Sequence, residues 1–205
     1  MKTVAVISQK GGSGKTTLSI NLAIAATETQ KQAVIIDLDS QQSATRWARL
    51  RKAEQPVIVP GHGPNLADLV ARAEAAGADF VFIDTAPKSE SAALAAAKLA
   101  DLVLIPCQPS SLDLDAIADT VNIVALAKRP GTFVLNAVRT SSSLAEDAEE
   151  ALSAYPIPLA PVRIVSRVVY VRSLAEGKGV PEFAPHSPAA REIAALFNFI
   201  SQYGG

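Results

Sequence analysis

Cysteine is nearly absent from this chain: among 205 residues there is one, Cys107. A lone thiol excludes an intramolecular disulfide and a cysteine-based metal or cluster site within the chain. Histidine is almost as scarce. His62 and His186 each lie beside glycine or proline, lack metal-ligand spacing and read as loop residues. Aromatics make up 5% of the chain, so the core has to be aliphatic and alanine-rich. No apolar run reaches the roughly 20 residues needed to span a bilayer. Met1-Lys2 leads straight into the first apolar run and leaves no room for a signal peptide; a cytoplasmic protein is expected. An excess of one charge is also missing, since 19 basic and 20 acidic residues give a net charge of −1. A protein that coats nucleic acid through its overall charge is more basic than this. Any such binding must come from a local patch, or from a patch doubled by dimerisation. The 49% hydrophobic content argues against disorder, and the length suits one domain over 1–205.

What is present is alternation. Apolar, β-branched runs at Val4–Ile7, Ala33–Ile36, Val57–Val59, Phe80–Ile83, Leu102–Ile105 and Phe133–Leu135 read as strands. They are continuously apolar, as strands buried on both faces are. Helix-compatible stretches lie near 15–29, 43–53, 65–76, 89–100, 112–128 and 143–154. The pattern predicts an α/β fold with a doubly wound, mostly parallel sheet and helices on both faces. Such sheets bind ligands beyond the carboxyl ends of their strands. The polar residues of interest follow the strands: Ser8 to Lys15, Asp37 and Asp39, Asp84, and Asn136. Beyond Tyr155 the chain becomes proline-rich, with helices expected at 167–176 and 188–202.

The most specific segment is Gln9-Lys10-Gly11-Gly12-Ser13-Gly14-Lys15-Thr16-Thr17, directly after the first strand. Glycines there open backbone conformations closed to residues with a Cβ. Successive N–H groups can then line one concavity at the start of the next helix, which makes a phosphate site. Lys15 would reach the β/γ-phosphates and the Thr16 hydroxyl would sit on Mg2+. The usual G-x-x-x-x-G-K-[ST] spacing is not met, because Gln9 stands where the first glycine belongs. A second lysine, Lys10, precedes the glycines instead. This resembles the deviant Walker A motif of the ParA/MinD class of ATPases. The resemblance implies a nucleotide-sandwich dimer in which Lys10 reaches the partner's phosphates.

Asp37-Leu38-Asp39-Ser40-Gln41 resembles that family's D-x-D-P-Q segment. The resemblance implies that Asp39 positions or activates the attacking water and Asp37 supports the magnesium shell. Ser40, where proline is common, should loosen the turn. Val81-Phe82-Ile83-Asp84 reads as a Walker B strand, with Asp84 holding a magnesium-bound water; Thr85-Ala86-Pro87 fits the family's second switch segment. Ile105 to Asp113 resembles the family's proline-containing loop near the nucleotide, although Ser111 and Asp113 read equally well as helix caps. Asn136 resembles the family's adenine-contacting asparagine. Cys107 reads as a small core residue.

Arg163, Arg167, Arg172 and Lys178 form a basic cluster in the region where ParA-like proteins bind DNA non-specifically. A second cluster, Arg46, Arg49, Arg51 and Lys52, reads as a solvated helix face. On the last helix, Ile193, Leu196, Phe197 and Ile200 share one face. Lipid-surface helices carry Lys and Arg on the polar face, and only Arg191 is near, so this face reads as core and no stable membrane association is expected.

The resemblance covers nearly the whole chain and is to small ParA-type partition ATPases. It implies slow, partner-stimulated hydrolysis of ATP with Mg2+, an ATP-bound homodimer, non-specific DNA binding on the nucleoid and a ParB-like or equivalent adaptor. The cargo stays open: plasmid or chromosome, or a protein assembly such as carboxysomes or chemoreceptor clusters. A MinD-like membrane-cycling regulator, an iron–sulfur reductase relative and a metabolic kinase or ligase of the same fold are the alternatives from other classes.

Overall fold

In a computed structural model that describes residues 1–111, 114–140 and 143–203, with only the backbone of Ser111 and Leu114, the expected alternation is present. Strands β1 (Lys2–Val6), β2 (Ala33–Asp37), β3 (Val57–Pro60), β4 (Phe80–Asp84), β5 (Leu102–Cys107) and β6 (Gly131–Leu135) form one sheet. Its order is β3-β2-β4-β1-β5-β6, and every pairing is parallel. The helices are α1 (Lys15–Glu28), α2 (Ser43–Ala48), α3 (Leu66–Ala75), α4 (Glu90–Leu99), α5 (Leu114–Ala127), α6 (Leu144–Ser153), α7 (Val168–Ala175), α8 (Val180–Phe183) and α9 (Pro188–Gln202).

Side chains alternate across a strand, and the central strands therefore feed two cores. Val4, Val6, Phe82 and Leu104 pack with α1 and α9 on one face. Ala5, Ile7, Ile83 and Ile105 pack with residues of α3 to α6 on the other. This is why those strands read as unbroken apolar runs. Strand β3 differs from the expectation of burial on both faces: as an edge strand it leaves Val57 41% exposed.

Helix α9 packs on α1, with Ile193, Leu196, Phe197 and Ile200 all buried. The apolar face of the last helix is therefore core, as expected. Ile200→Ala should cost about 2–5 kcal/mol of stability, read by denaturant unfolding.

The second helix stops at Ala48, short of the expected 53. Arg51 is drawn away by tertiary contacts: its side chain, 5% exposed, pairs with Glu182 at 2.6 Å and donates to the Gln55 and Gly177 carbonyls. Arg51 is thus a structural cation and not part of a solvated face. Gly177 has φ +68, and a Cβ there would lie 2.5 Å from the Leu50 carbonyl carbon, so only glycine fits this backbone crossing. Helix α8 was not expected from its Gly-Val-Pro start; its first N–H is capped from α1, by Asn21 Oδ1 at 2.7 Å.

Candidate nucleotide site

The register sets Val6, Asp84 and Asp37 side by side at the carboxyl ends of β1, β4 and β2. Residues after these strands therefore converge, as the expectation of a shared site requires. From β1 the chain runs through buried Ser8 and Gln9 into the glycine loop. Gly14, at φ 92, turns it into α1.

Lys15 folds back across this loop. Its Nζ donates to the Ser8 carbonyl at 3.0 Å and the Lys10 carbonyl at 3.1 Å. At 6% exposure, burial pushes its ammonium below the ordinary lysine range, against the attraction of Asp84 and Asp39. Thr16 Oγ1 donates to Asp84 Oδ2 at 2.7 Å, and Ser19 Oγ approaches Asp84 Oδ1 at 3.4 Å. Burial pushes the Asp84 carboxyl up to about 7; the Thr16 hydrogen bond opposes this, Asp37 and Asp39 reinforce it, and Lys15 opposes it.

A carboxyl raised in the fold binds a proton that the unfolded chain has already released. Its stabilising contribution is present in full below the ordinary aspartate range and is lost as pH rises to about 7. Ligand-free protein should therefore lose melting temperature between about pH 4 and 7 relative to Asp84→Asn, which removes this proton. Parallel melting curves would disprove the raised carboxyl.

Asp37, expected to support the magnesium shell, lies beside Asp84 in the register and is also held within its own segment. Its Oδ2 accepts from both the amide and the hydroxyl of Thr45 at 2.9 Å, and its Oδ1 from the Asp39 amide at 3.2 Å. It anchors the start of α2. Asp39 is half-buried, and its Oδ1 accepts from Gln41 N at 2.8 Å. The turn after it closes through Gln42 N to Asp39 O at 2.8 Å. Thr85 is buried, with its hydroxyl on the Val6 carbonyl. Lys10 is half-buried beside a cavity of about 20 Å³ that Ser13 and Thr120 also line.

Three contacts to the loop were not anticipated. Thr120 Oγ1 accepts from Gln9 N at 3.2 Å, Gln108 Nε2 donates to the Gly12 carbonyl at 2.7 Å, and Asn136 Nδ2 donates to the Ser13 carbonyl at 2.7 Å. Asn136, expected at an adenine, is 6% exposed under the loop. Gln108 lies in the Ile105 to Asp113 segment, whose resemblance to a loop near the nucleotide signalled the place but not this contact. Burial pushes the Cys107 thiol up to about 12, in keeping with a core residue. Asp113 and the side chain of Ser111 lie outside the described residues.

The oxygens of Thr16 and Asp84 are a hard-cation donor pair. Among the described residues no group of three or more His, Cys, Asp or Glu could hold a metal by itself. Mg2+ uses few carboxylates and completes its shell with phosphates and water. Ser13 Oγ and Gln9 Nε2 are buried at the loop without a protein partner, and the loop also carries Lys15. A polyphosphate with Mg2+ fits this donor set.

The expected DNA cluster is largely neutralised. Arg163 pairs with Glu146 at 3.1 Å and Glu149 at 2.8 Å, Arg167 with Glu192 at 2.7 Å, and Lys178 with Glu176 at 3.1 Å. The exposed Arg172 forms no salt bridge among the described residues. No helix among the described residues is long and apolar enough to cross a membrane.

Residues 4–180 match the CobQ/CobB/MinD/ParA nucleotide binding domain. The chain belongs to that family. Within it, the chain is 32% identical over 205 residues to maintenance of carboxysome distribution protein A of Gloeobacter kilaueensis, covering 98% of this chain and 93% of the relative. It is 29% identical to the chromosome-partitioning ATPase Soj of Thermus thermophilus, covering 96% and 94%. Among solved folds, the septum site-determining protein MinD of Pyrococcus horikoshii, complexed with Mg-ADP, superimposes with a TM-score of 0.80 at 18% identity, covering 100% and 97%. Apo McdA of Cyanothece gives 0.77 at 18%, covering 98% of each chain. The chain is thus a ParA-type member of a nucleotide-binding family, and the doubly wound P-loop fold is the one expected from its sequence.

Proposed function

We propose that this protein is a Mg-ATP-dependent, dimerising ATPase that positions a cargo, and that the cargo is a protein assembly. The observation that carries the ATPase reading is the meeting of Lys15, Thr16 and Asp84 at the head of α1, with Asp39 beside them. Two relatives that align along nearly the whole chain bear the name of a carboxysome distribution protein, which supports a protein cargo over a plasmid.

Lys15 and the loop amides bind the phosphates, and Thr16 and Asp84 hold Mg2+. When bound, the metal neutralises charge on the phosphate oxygens. Asp39 orients the attacking water, and Lys10 completes the site of a second copy. Catalysis of this kind is positioning plus charge stabilisation, so turnover is slow until an adaptor protein improves the alignment. Dimerisation with ATP doubles every surface contact, and hydrolysis undoes it.

The carrier surface for such a cargo is DNA bound without sequence preference. Each phosphate neutralised adds about −0.9 to the slope of log K against log salt. If the ion-paired cations stay with their glutamates, a dimer offers two Arg172 side chains and a slope of about −2. If all four cations of each subunit engage, the slope approaches −7. DNA binding measured with Mg-ATP, with Mg-ADP and without nucleotide, at several salt concentrations, should show binding with ATP alone and the shallow slope. Equal binding in all three states would end the switch reading.

A further inference from the structure

The phosphate loop is held from outside by two side-chain amides, and the consequence follows from peptide geometry. In a planar trans peptide the C=O of one residue and the N–H of the next point in opposite directions. Gln108 Nε2 holds the Gly12 carbonyl and Asn136 Nδ2 holds the Ser13 carbonyl, each at 2.7 Å. The same two peptide planes carry the N–H groups of Ser13 and Gly14, which are thereby turned away from Gln108 and Asn136. Neither N–H donates to a backbone carbonyl of the described residues.

Asn136 is itself firmly placed. It follows β6, its own N–H donates to the Cys107 carbonyl at 2.7 Å, and its side chain is buried. A Cβ on Gly14 would lie 2.1 Å from Asn136 Nδ2. Gly14 is therefore needed twice over, for its positive φ and for the space that the amide occupies. Gln108 grips the same loop from the end of β5.

We propose that Gln108 and Asn136 are positioning residues for the phosphate site, which aim the Ser13 and Gly14 N–H groups at a polyphosphate by gripping the opposite edges of their peptide planes. The inference rests on the nucleotide-binding reading of this loop and adds to it a role that is independent of the base. Asn136 then serves the phosphates of any nucleotide, whereas an adenine contact would serve only the base.

The test uses the full chain, with Gln108→Met and Asn136→Leu, which keep approximate size, add no charge and remove the donor. Binding of Mg-ATP, Mg-ADP and Mg-pyrophosphate is measured by calorimetry, and the Ser13 and Gly14 amide resonances are followed by NMR. Each variant should weaken all three ligands by a similar factor, roughly three- to tenfold. Without ligand, Gln108→Met should shift the Ser13 amide resonance at an unchanged melting temperature, and Asn136→Leu should shift that of Gly14 and lower the melting temperature by a few degrees, since it leaves the buried Ser13 carbonyl unpaired. Unchanged pyrophosphate binding overturns the proposal, and so does loss of ATP affinity alone in Asn136→Leu. Wild-type protein that binds neither ATP nor pyrophosphate removes the nucleotide reading itself, and the proposal falls with it.

Discussion

Lys15→Ala is expected to abolish useful nucleotide binding while leaving the fold intact. The ammonium lies inside the loop, 3.0 and 3.1 Å from the Ser8 and Lys10 carbonyls and 6% exposed. It is therefore already desolvated and already centred where phosphate charge would arrive. Truncating one partner of a buried, hydrogen-bonded charge pair costs about 2–5 kcal/mol, or roughly 30- to 5,000-fold in affinity. In the ligand-free protein the same change removes a group whose burial disfavours its charge, so the melting temperature should move little. Lys15→Arg should fail to rescue, because a planar forked guanidinium does not replace a compact ammonium between two carbonyls. Calorimetry with Mg-ATP decides the matter. Affinity within threefold of wild type would remove Lys15 from the phosphate site.

Much of this molecule was legible in its sequence because central strands buried on both faces leave unbroken apolar runs. All six strands and the helices between them lie where those runs put them, within a few residues. The errors share a cause. The end of α2, the exposed β3 and the short α8 are decided by tertiary partners: Glu182 and Gly177 for Arg51, the edge position for Val57, and Asn21 for Val180. A pattern that reads neighbours along the chain carries no trace of a partner more than a hundred residues away. The site divides in the same way. That Lys15, Thr16 and Asp84 meet was readable because residue types suited to phosphate and magnesium follow the ends of adjacent strands. Thr120, Gln108 and the actual contacts of Asp37 were not, since hydroxyls, amides and carboxylates serve as caps and tethers throughout proteins. The basic cluster shows the converse. Arg163, Arg167 and Lys178 look like a patch in sequence, but their glutamate partners bring the surface close to neutral.

Asp39→Ala should separate binding from hydrolysis. Asp39 sits one residue past Leu38 in the turn that follows β2, and the bond from Gln41 N is local to that turn. The anchoring of α2 belongs to Asp37, whose carboxylate holds both the amide and the hydroxyl of Thr45. Removing the Asp39 carboxylate therefore spares the α2 anchor, and it spares Lys15, Thr16 and Asp84, the proposed phosphate and metal ligands. ATP affinity should stay within a few fold of wild type. On the proposed function, what is lost is the group that orients water, a contribution of about 10²–10⁴ in rate. If, as proposed, ATP drives dimer formation and hydrolysis reverses it, the variant should accumulate as an ATP-bound dimer and hold DNA for longer than wild type. Phosphate release and nucleotide-dependent sedimentation read the two effects separately. Asp39→Asn, which keeps the shape and the acceptor for Gln41 N, should behave as Asp39→Ala does if the carboxylate charge acts on the water. It should hydrolyse ATP like wild type if the residue merely shapes the turn. Fast phosphate release by Asp39→Ala would place the water-orienting group elsewhere in the site.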